Sequence, residues 1–495
     1  MLKDRLRSKR LWDRIVDAEE AARLITDGMT VGMSGFTRAG EAKAVPLALA
    51  ERAMRDPLKI TLMTGASLGH NLDSTLAQAH VIARRLPFQS DPIMRAAINS
   101  GEVMFLDQHL SETVEFLRNG ALAVDIAVVE ATAITEDGGI VPTTSVGNSA
   151  SFAILAPKVI VEINLSQPEG LEGLHDIYIP TRRPSREAIP VMAPDSRIGV
   201  PFIPIPAEKI AAIVVTQSSD SDSPVGAPDA ETDLIASHLT EFLLREVRRG
   251  RLTERLLPLQ AGIGTIANAV LHSFTEAPFH DLTMYSEVLQ DSTFELMDAG
   301  KLGFASGSSI TLSTEKHRRV LAELEHYKRR LILRPQEISN HPEVIRRLGI
   351  IAVNTALEFD IYGNVNSTHI GGTQMMNGIG GSGDFARNAS MSIFVTKSLA
   401  RDGTISRVVP MVSHVDHTEH DVDILVTEIG LADLRGLAPR ERAEVVIANC
   451  VHPTYRETLR DYYSRALLRG GHTPHLIEEA LAWHDSMRQT GKMLP

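Results

Sequence analysis

Cysteine is almost missing from this chain of 495 residues; Cys450 stands alone. A single thiol forms no internal disulfide, so the fold must be held by its core, as suits a reducing cytosol. Cys450 lies in "AEVVIANCVHP", on the apolar side of an expected helix, and reads as a core residue rather than a nucleophile. Excess positive charge is also lacking. The formal net charge is −12, which argues against a nucleic-acid partner. No apolar run approaches the roughly 20 residues of a membrane span. The N-terminal "MLKDRLRSKRLWDRIV" is basic but has no apolar segment of the kind a secretion signal carries, and Asp4 and Asp13 argue against a mitochondrial presequence. A cytoplasmic protein with no membrane partner is expected.

What is present is ordinary for a folded protein: 43% apolar and 23% charged residues. The length exceeds what one core usually serves, so two or three domains are expected. The first half alternates helical and strand patterns. "MTVGMSGF", "LKITLMTGAS", "VDIAVVEATAI", "KVIVEINL" and "KIAAIVVTQ" are rich in Val and Ile, as buried parallel strands are. At residues 218–231, "SSDSDSPVGAPDAE" is polar and rich in Pro and Gly, and reads as an exposed linker. It divides the chain into residues 1–225 and 226–495. A long helix follows, with Asp229 as N-cap and Gly250 at its end. Strand patterns return at "DLTMYSEV", "RLILRPQE", "GIIAVNTALEFDIYG", "SIFVTKS", "SRVVPMV" and "VDILVTE". The fold class is therefore α/β, with two architecturally similar domains.

In open α/β sheets, ligands gather beyond the carboxyl ends of strands. Three loops there carry chemistry. "NGIGGSGDFARN" contains Gly378, Gly380 and Gly383 as G-x-G-x-x-G, but a dinucleotide fingerprint needs a strand directly before it and a crossover helix after it. Neither pattern is clear, and a glycine turn or a set of backbone N–H groups offered to a ligand remain as readings. "LQAGIGTIANAV" repeats the pattern at Gly262, Gly264 and Ala267, with a helix after it and no apolar strand evident before it. Donors at that helix start suit an anion or a developing oxyanion. Between the loops, Glu287 ends the apolar pattern of "DLTMYSEV". It is either a surface charge at a strand end or a desolvated carboxylate with raised nucleophilicity. Asn340, before Pro342 in "RPQEISNHPEVIRRLG", is either an N-cap or an amide donor to a reacting carbonyl oxygen. "SHVDHTEHD" offers His414, Asp416, His417 and His420, some at zinc-like spacings. A carboxylate with several donors suits acyl transfer through a carboxylate nucleophile.

The stretches "GIGTIANAV", "YSEVLQD", "RPQEISNHPEVIRRLG", "FDIYGNVNSTH", "MMNGIGGSGDFARN" and "HVDHTEHDVDILVTE" resemble the acetyl-CoA hydrolase/transferase family of class I CoA-transferases over nearly the whole chain. That resemblance implies two open α/β domains of the CoA-transferase (NagB/RpiA-like) type, the second carrying a catalytic glutamate at Glu287. It implies transfer of CoA between short-chain acids such as acetate, succinate and propionate through a glutamyl-CoA thioester, with acetyl-CoA hydrolysis as the alternative and a non-catalytic acyl-CoA sensor as a more distant one. Oxyanion donors fall on the backbone of Ile263 and Gly381, with Asn340 as auxiliary. CoA-binding positions fall on Ala261, Gly262, Ile263, Gly264, Thr265, Leu357, Asn377, Gly381 and Arg401. A glutamate associated with the substrate carboxylate matches Glu428. Some acetate-using members carry an Arg in the loop matching "QSSDSDSP", near Ser221; this chain has none, which leaves the acceptor acid open. The family implies no metal and no permanently bound cofactor, coenzyme A being a substrate, and it implies a homodimer.

Overall fold

A computed structural model of the protein describes residues 2–223 and 229–494. The sequence-based boundary at 225/226 lies outside the described residues. The chain forms two compact units. One gathers the described residues of Met1–Pro224 with Met284–Asp291 and Phe304–Leu348; the other gathers those of Val225–Thr283 with Ser292–Gly303 and Gly349–Pro495. The expectation of contiguous halves therefore does not describe the packing. Glu287, assigned by sequence to a C-terminal domain, belongs to the first unit, because the segments around it pack on N-terminal elements. Sequence alternation shows a change of segment but not which core a later segment joins.

The first unit is built on a seven-stranded sheet. Its order is Met104–Phe105, Ile82–Leu86, Ile60–Met63, Thr30–Met33, Ile126–Ala131, Lys158–Asn164, Ile210–Thr216, with every neighbouring pair parallel. Strand Ile126–Ala131 is buried at every residue, as a strand covered on both faces must be. The strand order reverses between Thr30–Met33 and Ile126–Ala131, so the loops leaving those two strands flank a topological switch point. The helix Ala44–Arg55 begins on the Glu162 carboxylate, which accepts the N–H groups of Lys43 (2.8 Å), Ala44 (3.0 Å) and Val45 (2.7 Å). Three first-turn donors, unsatisfied within the helix, are thereby matched.

The 218–231 segment departs from its expected exposure at Asp220, which is buried. Its carboxylate receives the Lys43 ammonium at 3.0 Å and the Thr144 hydroxyl. Lys43 also meets Glu130, and burial pushes the Glu130 carboxyl up to about 8 against the pull of Lys43. Composition marks Asp220 as polar; its partner lies 177 positions away.

The second unit opens with helix Ala230–Arg248. Asp229 caps it as expected: its carboxylate accepts the Thr232 N–H at 3.0 Å, and the Thr232 hydroxyl closes the capping box at 2.7 Å from the Asp229 nitrogen. Gly250, with φ +70°, follows its end. Strands Leu259–Ala261, Ile351–Thr355, Met391–Val395 and Ile424–Thr427 lie side by side and parallel, and Gly430–Asp433 adds an antiparallel edge. Their core includes Phe359, Phe394, Val446, Tyr455 and Cys450. Burial pushes the Cys450 thiol up to about 12, so it is a packing residue as expected. The last helix is Ala482–Thr490, and ahead of it Gly470 and Gly471 hold φ of +76° and +94°. Both units are mixed α/β with parallel sheets. No helix of the described residues is long and apolar enough to cross a membrane.

Candidate active site

Strand Leu282–Tyr285, whose last two residues belong to the first unit, buries Leu282, Met284 and Tyr285. Two residues past its end stands Glu287, 7% exposed. Its backbone is fixed on the neighbouring segment: the Ser308 and Ser309 N–H groups donate to the Glu287 carbonyl at 2.7 and 3.1 Å. The side chain is therefore presented from a rigid element, with Asn340 Nδ2 donating to its Oε2 at 2.9 Å. Burial pushes the carboxyl up to about 7, and the Asn340 hydrogen bond opposes that rise. The surface-charge reading of Glu287 is excluded. A carboxylate this desolvated is a stronger nucleophile than a hydrated one once ionised.

Asn340 corrects its local reading. It is not the N-cap of the helix Pro342–Leu348 but follows the short helix Gln336–Ser339, its N–H donating to the Gln336 carbonyl at 2.9 Å. The Ser339 hydroxyl donates to Asn340 Oδ1 at 2.8 Å. That contact fixes which end of the amide faces Glu287. Tyr285, on the strand leading to Glu287, donates its hydroxyl to the Ile338 carbonyl at 2.6 Å. The two segments are thus tied together beside the Glu287–Asn340 contact. Sequence reading missed the supporting roles of Tyr285 and Ser339; a buried aromatic hydroxyl in need of an acceptor was the available signal.

The second unit carries the glycine loops. The 261–265 loop does have a strand before it, Leu259–Ala261, where the sequence pattern showed none. Pro258 precedes the strand, where its missing N–H breaks no ladder bond. The Gly262 N–H donates to the Val353 carbonyl at 2.8 Å and extends the sheet by one residue. Ile263 then turns outward, 40% exposed. Gly264 holds φ +126°, a conformation only glycine adopts readily, and Thr265 starts the helix Thr265–Ser273. Ala261 is buried at the strand end.

The Asn377–Asn388 stretch follows a two-residue antiparallel pairing of His369–Ile370 with Gln374–Met375, not a parallel strand, so it lacks the setting of a dinucleotide fingerprint. Asn377 Nδ2 donates to the carbonyls of Ser367 (2.9 Å) and Gly378 (3.0 Å) and shapes the loop. Gly381 is buried and caps the helix Ser382–Asn388. First-turn N–H groups find no acceptor inside a helix. Leu357, half-buried, follows strand Ile351–Thr355 and donates its N–H to Asn366 at 2.9 Å. Arg401 is exposed at the turn of the Leu399–Ala400 and Ile405–Ser406 hairpin, with φ +47°.

Glu428 follows strand Ile424–Thr427. Its carboxylate accepts the Ser398 N–H at 2.7 Å and the Ser398 hydroxyl. It braces the segment that leads to Arg401. The 262–264 loop, Leu357, Ser398 and Glu428 thus all lie beyond the carboxyl ends of four adjacent parallel strands, where ligands of such sheets bind. The "SHVDHTEHD" residues have structural partners: Asp416 accepts the Ser367 N–H at 2.6 Å and the Thr368 hydroxyl at 2.9 Å, and the His417 ring packs on Phe394. Among the described residues, no group of three His, Cys, Asp or Glu side chains is arranged to hold a metal.

Residues 1–215 match the family model described as the acetyl-CoA hydrolase/transferase N-terminal domain, and residues 317–463 match that of its C-terminal domain. The chain belongs to the acetyl-CoA hydrolase/transferase family. It is 48% identical over 493 residues to the succinyl-CoA:acetate CoA-transferase of Clostridium kluyveri, covering 99% of this chain and 92% of the relative. It is 43% identical over 514 residues to the acetyl-CoA hydrolase of Kluyveromyces lactis, covering 100% of this chain and 98% of that one. Among solved structures, the 4-hydroxybutyrate CoA-transferase of Porphyromonas gingivalis shares the fold with a TM-score of 0.63 at 22% identity, over 92% of this chain and 98% of that chain. The protein is therefore an enzyme of the CoA-transferase and acyl-CoA hydrolase class, and its α/β architecture is that of CoA-transferases.

Proposed function

We propose that the protein is an acyl-CoA:carboxylate CoA-transferase acting on short-chain acids, with Glu287 as nucleophile. The observation that carries this reading is the buried Glu287 carboxyl, lifted to about 7 and hydrogen-bonded by Asn340 at 2.9 Å. An ionised Glu287 oxygen attacks the thioester carbonyl; the C–S bond breaks and CoA leaves as thiolate, giving an acyl-glutamyl anhydride. The thiolate attacks the glutamyl carbonyl and expels the acyl group as its carboxylate, leaving Glu287 as a thioester of CoA. An incoming carboxylate repeats both steps in reverse and departs as a new acyl-CoA. The exchange is split into easier steps and the thioester bond energy is retained.

Each step passes through a tetrahedral oxyanion. The backbone N–H groups of Ile263 and Gly381 serve as its donors, a role supported by the family resemblance and by their places in the two glycine loops. Loss of one such donor typically costs about 2.7–4 kcal/mol. The loop from Ala261 to Thr265, Leu357, Asn377, Gly381 and Arg401 binds CoA, and contacts remote from sulfur supply binding energy used at the transition state. Glu428 acts through Ser398 on the acceptor side. We place the enzyme in the cytoplasm as a homodimer, which the cysteine usage and the family support.

A second reading, hydrolysis, is favoured by the name of the Kluyveromyces lactis relative; water would then take the place of the acceptor acid. The deciding experiment supplies an acyl-CoA with and without a panel of carboxylates. Thioester exchange without free thiol is the expected result, and Glu287→Ala abolishes it while CoA still binds. Free thiol released at a comparable rate without any acceptor would overturn the transferase reading. Full activity in Glu287→Ala would overturn the nucleophile.

A further inference from the structure

Two side chains close to Asn340 in sequence are gripped from elsewhere in the first unit. Three residues before it stands Glu337, 3% exposed. Arg118 Nη2 donates to Glu337 Oε1 at 2.8 Å, and the Ser151 hydroxyl donates to the same oxygen at 2.6 Å. One residue after Asn340, His341 Nε2 meets Arg186 Nη1 at 3.2 Å. Burial, and after it the Arg186 charge, hold the His341 ring down at about 4. It is therefore neutral at pH 7, and its ring nitrogen can accept the guanidinium N–H.

Both grips meet on one carboxylate. Glu115, in the helix Thr113–Arg118, accepts Arg186 Nη2 on its Oε1. Arg118 Nη1 lies 3.6 Å from that oxygen, and Arg183 Nε lies 3.1 Å from Oε2. Glu115, Arg118, Glu337, His341 and Arg186 thus close a ring through the backbone that carries Asn340. All five belong to the first unit, and Glu115, Arg118 and Glu337 are buried. Apolar replacements of a buried ion pair are often neutral for stability; the best-attested gain from keeping one is a single fixed arrangement.

Arg186 reaches the ring from an outlying stretch. Between Thr181 and Ala188 it alone is turned inward, its neighbours being exposed, and its Nε donates to the Thr181 carbonyl at 2.8 Å. The same stretch is held again further on, where Arg347 Nη1 donates to the carbonyls of Ile189 (2.5 Å) and Val191 (3.1 Å). Arg347 stands in the helix Pro342–Leu348, which begins directly after His341. The stretch is therefore fastened to the Asn340 segment at two points.

We propose that Glu115 and Arg186 are positioning residues for Asn340, holding its amide against the Glu287 carboxylate through Glu337 and His341. Burial and the Asn340 hydrogen bond are what set the Glu287 carboxyl, so a change at Glu115 or Arg186 reaches Glu287 by way of that amide. Arg183 and Arg347 also act on His341 and are kept in every variant below. The rate readout rests on Glu287 as the nucleophile; the titration readout does not.

The test titrates the Glu287 carboxyl of the full chain by infrared difference spectroscopy, with Glu287→Gln as the blank, beside the pH profile of kcat/KM for acetyl-CoA. Arg186→Met and Glu115→Gln are each expected to raise the Glu287 midpoint by about 0.5–1 pH unit, less than outright loss of the Asn340 hydrogen bond would. At pH 7 the ionised fraction, and kcat/KM with it, falls about 2–5-fold and recovers at high pH. Arg186→Lys keeps a cation for Glu115 without the fork that spans two partners, and its midpoint should lie between. Arg182→Met, an exposed neighbour on the same stretch, should change neither readout. A merely structural role would lower the unfolding midpoint and the rate at every pH with the Glu287 midpoint unmoved, and that result would overturn the proposal. If Arg186→Met or Glu115→Gln does not fold, Arg186→Lys decides, an unmoved midpoint again overturning it. A shifted titration with an unshifted rate profile would sink the nucleophile reading and leave the positioning role standing.

Discussion

The contact between Asn340 and Glu287 makes a quantitative prediction about pH. The Glu287 carboxyl sits at about 7 because burial raises it and the Asn340 hydrogen bond restrains that rise. Asn340→Ala removes the restraint. A hydrogen bond to an ionised group contributes roughly 1.5–3 kcal/mol, and about 1.4 kcal/mol corresponds to one pH unit. The variant's carboxyl should therefore ionise near about 8–9. At pH 7 roughly half of wild-type Glu287 is ionised, against about 1–10% in the variant, so, on the proposed mechanism, exchange at pH 7 should fall about 5–50-fold through ionisation alone. The assay is the pH profile of kcat/KM for the acyl-CoA donor, with acceptor saturating. The wild-type curve should rise through about 7. The variant's should rise one to two units later and recover much of the deficit at high pH. A uniform drop at every pH, with the midpoint unmoved, would refute the argument and leave Asn340 acting on the oxyanion alone.

The same carboxyl weakens the fold. Folded Glu287 keeps its proton up to about 7, whereas the unfolded chain loses it near the ordinary 4.5. The native state binds more protons between those values, so stability falls as pH rises through that window. Glu287→Gln should be the more stable protein at pH 8, by up to about 3 kcal/mol, with the gain disappearing below the ordinary carboxylate range; equal denaturation midpoints at pH 8 would refute this. Cys450, buried with its thiol pushed up to about 12, should not react with a disulfide reagent at pH 8 until the protein unfolds, and rapid labelling of the native enzyme would count against its packing role. Arg334 and Asp176 form a fully buried pair in the first unit, with Arg334 also donating to the Ser306 hydroxyl at 2.8 Å. Arg334→Met leaves Asp176 charged and unpaired by its cation, and should cost about 3–5 kcal/mol in chemical unfolding; a loss under about 1 kcal/mol would show the pair to be dispensable.

Legibility followed the range of each interaction. Helix Ala230–Arg248 was bounded correctly because its cap, Asp229, and its terminator, Gly250, are neighbours in sequence. Strands Ile126–Ala131 and Lys158–Asn164 announced themselves as runs rich in Val and Ile despite Glu130 and Glu162. Leu259–Ala261 did not, since three residues beside a proline form no pattern. Asn340 obeyed a local rule on paper, standing before Pro342, but a partner 53 positions away decides what its amide does. Asp220 was misread for the same reason. The ring around Asn340 left no compositional trace, because Glu115 and Arg186 reach it from distant segments. The glutamate and both glycine loops stood out as candidates because their chemistry is written in residue type.

The first unit takes in segments of the chain as late as Leu348. During synthesis it cannot be finished when the residues before the 224–228 stretch have emerged. Glu287 and the segment Ala305–Gly307 arrive only after dozens of further residues, some of which belong to the other unit, and strand Leu331–Leu333, the parallel neighbour of Ala305–Gly307, arrives later still with Asn340. Closing such a long detour is entropically slow. The nascent N-terminal part meanwhile exposes apolar surface that those late segments will cover, a state prone to aggregation. Cutting the gene at the polar stretch would not yield two self-sufficient pieces. It would separate Glu287 from the unit that holds it, so fragment complementation or chaperone dependence, rather than independent domain folding, is the behaviour this chain path imposes.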